Sequence, residues 1–133
     1  ISGKKLSDIT LCNRNVTSIA SVNKDIVAVS VESPNNILIV STERSIVLSK
    51  LFDLTSLSTP KDLILLSDSV LLSSHEKGTI MCWDMSNNTH SEEVIYENER
   101  NIGGLLKIDC SRFITCSNTE LKKWTMTNQI VNI

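Results

Sequence analysis

A chain of 133 residues is long enough for one domain with a buried core. Its net charge of −2, with Lys and Arg interspersed among Asp and Glu, argues against the concentrated positive field that nucleic-acid or anionic-membrane binding uses. The longest apolar runs, such as 37–40 and 63–66, fall far short of the ~20 residues that span a bilayer, so the chain reads as a soluble protein.

Taken in chain order, residues 4–11 alternate well enough for one strand. Runs at 16–22 and 26–30, separated by a polar stretch, read as a hairpin; 36–42 and 46–51 read as two further strands. Residues 48–54 alone in the chain pass for a turn or two of helix. The same sequence of four β-prone runs then recurs: 63–67, 70–74, 78–85 and 92–96, followed by 105–110, 113–117, 119–126 and 129–133. Laid over each other, Ile26-Val27-Ala28-Val29-Ser30, Val70-Leu71-Leu72-Ser73-Ser74 and Phe113-Ile114-Thr115-Cys116-Ser117 recur at about 43 residues, and Trp83 and Trp124 recur at a similar spacing. Four short strands in each unit of that length is the period of a propeller blade. The expected fold is all-β, with about three blades of four antiparallel strands at 16–58, 59–100 and 101–133. Residues 1–15 are expected to supply the outer strand of a preceding blade.

The segment Lys77-Gly78-Thr79-Ile80-Met81-Cys82-Trp83-Asp84-Met85 resembles the third strand of a WD repeat, named for its terminal Trp-Asp pair. Leu121-Lys122-Lys123-Trp124-Thr125-Met126 is similar without the Asp, and the first unit has Ser41-Thr42 there. The resemblance implies structural roles for Trp83, Asp84 and Trp124, with the two indoles buried between neighbouring blades. WD repeats usually add an Asp before the third strand and a Gly-His pair before the first, bonded into a buried network with the Trp. Here Lys77 and Asn118 occupy the turns, and 14–15, 60–61 and 102–103 lack His, so that network is expected to be absent or rebuilt.

Candidate chemistry is sparse. His75 and His90 fall in predicted turns, where a solvated side chain is the ordinary case, and no G-x-S-x-G elbow accompanies the serines. Cys12, Cys82, Cys110 and Cys116 lack the close pairing of structural zinc sites or small disulfide scaffolds, so free thiols in the cytoplasm or nucleus are expected. Gly103-Gly104 is an isolated pair, read as a backbone position with little steric freedom rather than a phosphate loop. The sequons at Asn15 and Asn87 are read as unmodified, and the acidic run Glu92, Glu93, Glu97 and Glu99 as protection of an outer strand. No catalytic residue, cofactor or metal is expected.

What remains is a binding surface. Propeller loops vary while strands hold shape, which places the candidate partner-binding residues in the turns between second and third strands and before each first strand. They are Arg14, Asn15, Glu32, Asn35, Lys61, His75, Glu76, Lys77, Arg100, Asn101 and Asn118. The resemblance implies a non-catalytic scaffold or adaptor for other protein chains in a multiprotein complex. An accessory subunit of an RNA-modifying or ubiquitin-transferring enzyme is the alternative, and a propeller enzyme with an axial site is the weakest reading. A chain beginning at Ile1 and entering a strand at once also reads as part of a ring that another polypeptide segment completes.

Overall fold

Valine, isoleucine and leucine at alternate positions, punctuated by Asn, Asp, Ser and Gly, form twelve strands, with no helix among the described residues. The structure, a computed structural model, describes residues 2–6, 8–11, 15–32, 36–52, 60–75, 78–85, 89–95, 103–117, 119–126 and 130–132. The first sheet comprises β1 (Val16–Ser21), β2 (Ile26–Val31), β3 (Asn36–Ser41) and β4 (Ile46–Phe52). The second comprises β5 (Pro60–Ser67), β6 (Val70–His75), β7 (Thr79–Asp84) and β8 (Thr89–Ile95). The third comprises β9 (Gly104–Lys107), β10 (Arg112–Cys116), β11 (Leu121–Met126) and β12 (Ile130–Asn132). Each sheet is antiparallel with its strands in chain order, which is the expected all-β architecture of four-stranded blades.

One sequence expectation changes. Residues 48–52 lie in β4, not in a helical turn, and a bulge opposite Ile39 and Val40 adds Leu48 to that strand. The extra residue reverses the alternation, so Val47 and Leu51 serve opposite faces although they are four residues apart. Residues 2–6 and 8–11 carry no strand pairing; Ile9 and Leu11 instead pack against Val29, Val31, Leu38 and Val40 of the first sheet.

The ladders also revise the repeat alignment. Leu71 pairs with Trp83 and Phe113 with Trp124, while Val70 pairs with Asp84 and Arg112 with Thr125. Val70 therefore corresponds to Arg112, not to Phe113. A slip of one residue moves every side chain to the other face of its strand. Thr115, rather than Cys116, accordingly shares the column of Val29 and Ser73. The cause lies in the connections at 31–36, 75–79 and 117–120, each one residue shorter than the one before.

The core lies between sheets. Ala28, Ile37 and Leu51 of the first meet Leu63, Leu71, Met81 and Trp83 of the second. The opposite face of the second sheet, with Leu66, Leu72, Ile80 and Cys82, meets Leu105, Phe113 and Trp124 of the third. Period-two alternation thus gives the middle blade two apolar faces, and both are consumed.

Candidate functional site

Trp83 and Trp124, 3% and 7% exposed, occupy equivalent positions and dispose of their indole N–H in the same way. Trp83 Nε1 donates to Ser73 Oγ at 2.8 Å, and Trp124 Nε1 donates to Thr115 Oγ1 at 2.9 Å. Each hydroxyl stands two residues beyond the indole's cross-strand partner, on the same side of the sheet, so strand geometry alone delivers it. Phe113 stacks on Trp124 with centroids 6.2 Å apart and planes 10° from parallel.

His75 extends this arrangement. It closes β6 rather than sitting in a turn, is 2% exposed, and its Nε2 lies 2.9 Å from Ser73 Oγ. The buried chain of indole, hydroxyl and imidazole is a network built within one hairpin, in place of one that borrows a histidine from an earlier loop. In the third blade Ser117 holds the position of His75, and its Oγ is buried without a hydrogen-bond partner among the described residues. In the first blade the corresponding positions are Val29, Val31 and Val40, all apolar.

Asp62 links all three sheets. From β5 its Oδ1 accepts from Ser18 Oγ of β1 at 3.2 Å, and its Oδ2 accepts from the Leu105 N–H of β9 at 2.8 Å. Sequence reading passed over this residue because a half-buried carboxylate inside an apolar strand has no local motif. Gly104 lies alongside, where an added Cβ would stand 3.6 Å from Asp62 Oδ2 and 3.5 Å from Cys116 Sγ. Those are ordinary contacts, so sterics do not demand glycine at 104. Gly78, with φ 81°, occupies the left-handed region that does favour it, in the turn where its N–H donates to the His75 carbonyl.

At one end of the sheets, the start of each first strand lies beside the end of the second: Val16 by Val31, Pro60 by His75, Gly104 by Cys116. Asn15 and Glu32 meet there, Asn15 Nδ2 donating to Glu32 Oε2 at 3.2 Å and the Glu32 N–H to the Asn15 carbonyl at 2.9 Å. Lys61 is exposed near the same end. His75 is not part of that surface, since it is buried. Arg14, Asn35, Glu76, Lys77, Arg100, Asn101 and Asn118 lie outside the described residues, as do the Cys12 and Glu97 and Glu99 positions. A concavity of about 450 Å³ opens where the inner strands converge, lined by Ala20, Ser21, Leu63, Ile64, Leu65, Leu105, Leu106 and Lys107.

The opposite end carries two carboxylate-capped turns that sequence reading did not single out. Asp25 accepts from the Glu43 N–H at 2.7 Å and from Ser41 Oγ, and the Glu43 bond, followed by those of Ser41 and Thr42, lowers its pKa. Asp109 is held down to about 2, chiefly by its bond from Arg112 and then by the Ser111 N–H. Asn23 and Asp109 sit three residues before a strand and accept the N–H groups two and three residues on, an Asx-turn signal that was legible. Among the described residues no three His, Cys, Asp or Glu side chains converge as metal ligands. Among the described residues Cys82, Cys110 and Cys116 form no disulfide.

No protein-family model matches the chain, and no curated protein matches it in sequence. Solved structures do match in shape. The crystal structure of the computationally designed Ika4 protein superposes with a TM-score of 0.74 at 18% identity, covering 98% of this chain and 78% of that one. The β-propeller domain of Cps50 (Swd1) from Myceliophteria thermophila superposes with a TM-score of 0.74 at 17% identity, covering 92% of this chain. The fold is that of β-propeller blades. The chain spans 38% of the Cps50 chain, and likeness at these identities concerns blade geometry alone. In propeller terms, the Asp62 contacts join the inner strands of three successive blades, and the two indole-bearing cores are the blade interfaces.

Proposed function

We propose that this chain is a non-catalytic protein-interaction scaffold of WD-repeat type, contributing three blades to a larger propeller within a multiprotein complex. The observation that carries the reading is how the chemistry-bearing side chains are spent. Ser73, His75, Thr115 and Asp62, which in another setting would supply a nucleophile, a base or an acid, are bonded into the joints of the blades. A rigid frame of this kind offers partners its rim, where Asn15, Glu32 and Lys61 lie. Closed propellers have about 4–8 blades, so further blades complete the ring. Four cysteines without close sequence pairing suit the reducing cytoplasm or nucleus.

The test is affinity purification of the full-length protein from its own cells, followed by mass spectrometry and direct reconstitution with the recovered chain. A stoichiometric protein partner is expected, with binding weakened at least tenfold by Glu32→Lys combined with Lys61→Glu while the circular dichroism is unchanged. Recovery of no partner, or binding indifferent to every rim substitution, would sink the scaffold reading.

A further inference from the structure

Ser73 Oγ receives the indole N–H of Trp83 at 2.8 Å, which leaves its own proton for the other group within reach, His75 Nε2 at 2.9 Å. That polarity makes Nε2 an acceptor and describes a neutral imidazole with its proton on Nδ1. Protonation turns Nε2 into a donor. The Ser73 hydroxyl hydrogen then loses its acceptor inside a joint where Ser73 is 0% and His75 2% exposed. Acid therefore opposes the bond that holds the end of β6. His75 is the last residue of that strand; it pairs with Pro60, beside the rim residue Lys61, and its carbonyl accepts from the Gly78 N–H at 3.1 Å.

We infer that His75 is a proton-sensitive latch: neutral, it pins the end of β6 through Ser73; protonated, it leaves the joint, and the strand end frays beside Pro60 and Lys61. Its effect on a bound partner rests on the scaffold reading; the fraying does not. The charged groups around it are few among the described residues. On β5, Lys61 follows Pro60, and Asp62 has its two oxygens turned to Ser18 and Leu105. Across the joint, the first sheet offers Glu32 directly after β2, engaged by Asn15. Glu32 favours an imidazolium and Lys61 disfavours it, so the Ser73 bond decides the direction. β6 carries no other charged residue, and Asp84 of β7 stands at its far end, opposite Val70. Glu76 and Lys77 follow in the chain, outside the described residues. The other histidine, His90, pairs with Trp83 from β8. A histidine released from such a bond titrates near about pH 6.5, so the frayed form gains about tenfold between about pH 7.5 and 5.5.

The experiment uses the full-length protein labelled in its histidine rings, with His75→Gln to assign the His75 signals. Ring carbon shifts are expected to report the Nδ1–H tautomer at about pH 7.5. Hydrogen exchange, normalised for the intrinsic rate at each pH, is expected to show the protection of the Gly78 amide falling about tenfold by about pH 5.5. The Ser111 amide, bonded to Asp109, is expected to keep its protection, because that carboxyl titrates at about 2. Glutamine places an acceptor where Nε2 stands and takes up no proton in this range. His75→Gln is therefore expected to abolish the fall and His90→Gln to preserve it. An Nε2–H tautomer or an imidazolium at neutral pH, Gly78 protection indifferent to pH, or a fall unchanged in His75→Gln would overturn the inference. Binding of a recovered partner is expected to weaken on acidification in the wild type and not in His75→Gln; binding indifferent to pH while Gly78 responds would overturn the regulatory role. A response at Gly78 with no partner recovered would defeat the scaffold reading alone, and a partner bound with no response at Gly78 would defeat the latch alone.

Discussion

Whether a buried indole contributes more than its area depends on where its N–H goes. Trp83 donates its N–H to Ser73 Oγ, which is itself in contact with His75, so truncation removes the ring from an interface and disturbs a buried polar chain. Trp83→Ala is expected to destabilise by about 3–5 kcal/mol, the range for a buried aromatic. His75→Ala, for which a solvated turn residue would predict almost no effect, is expected to cost about 1–3 kcal/mol because it strips a buried hydroxyl of a partner. Urea unfolding monitored by circular dichroism checks both. One strand residue decides the burial of His75: a strand ending at Ser74 would leave the ring in a solvated turn, whereas one more residue places it beside Leu71 and Ser73 on the buried side. Asp109 gives a pH test. Its folded pKa is below the ordinary value, so its stabilising bonds are complete above about pH 4 and are lost as pH falls through about 2. An NMR titration of its carboxyl carbon is expected to show the low midpoint, and Arg112→Ala is expected to raise it.

At the scale of the element, alternation and turn residues made the strands legible, and the recurrence of Trp made the blades legible. Register was not. Composition cannot show that the connection before β11 is one residue shorter than the one before β7, yet that residue decides whether Thr115 or Cys116 faces the indole. Counting back from the tryptophans across the ladder, rather than aligning the apolar runs, recovers the correct columns. Long-range polar contacts were equally silent, since nothing near Asp62 names Ser18 or Leu105 as its partners. Asp62→Ala leaves a backbone N–H and a hydroxyl at the blade joints without their acceptor and is expected to cost about 1–3 kcal/mol. Asp62→Asn retains one acceptor oxygen and is expected to fall between wild type and alanine in the same unfolding measurement.

For the whole molecule, the middle blade shares one core with each neighbour, so its loss exposes both indole-bearing interfaces at once. Unfolding is expected to be a single transition, with tryptophan fluorescence and far-UV circular dichroism giving one midpoint. Two separated midpoints would show that an outer blade detaches first. Apolar contact between sheets, however, has no preferred direction: a leucine packed on a valine loses little if one sheet slides along the other by a fraction of a strand step. A carboxylate with one oxygen assigned to Ser18 and the other to the Leu105 amide tolerates no such slide. Asp62 therefore works as an index mark that fixes the pitch between successive blades. Through that pitch it fixes the distance between rim groups on different blades, such as Glu32 and Lys61, so a ligand gripping two blades would be measuring a length set by the half-buried carboxylate next to Lys61 in the chain.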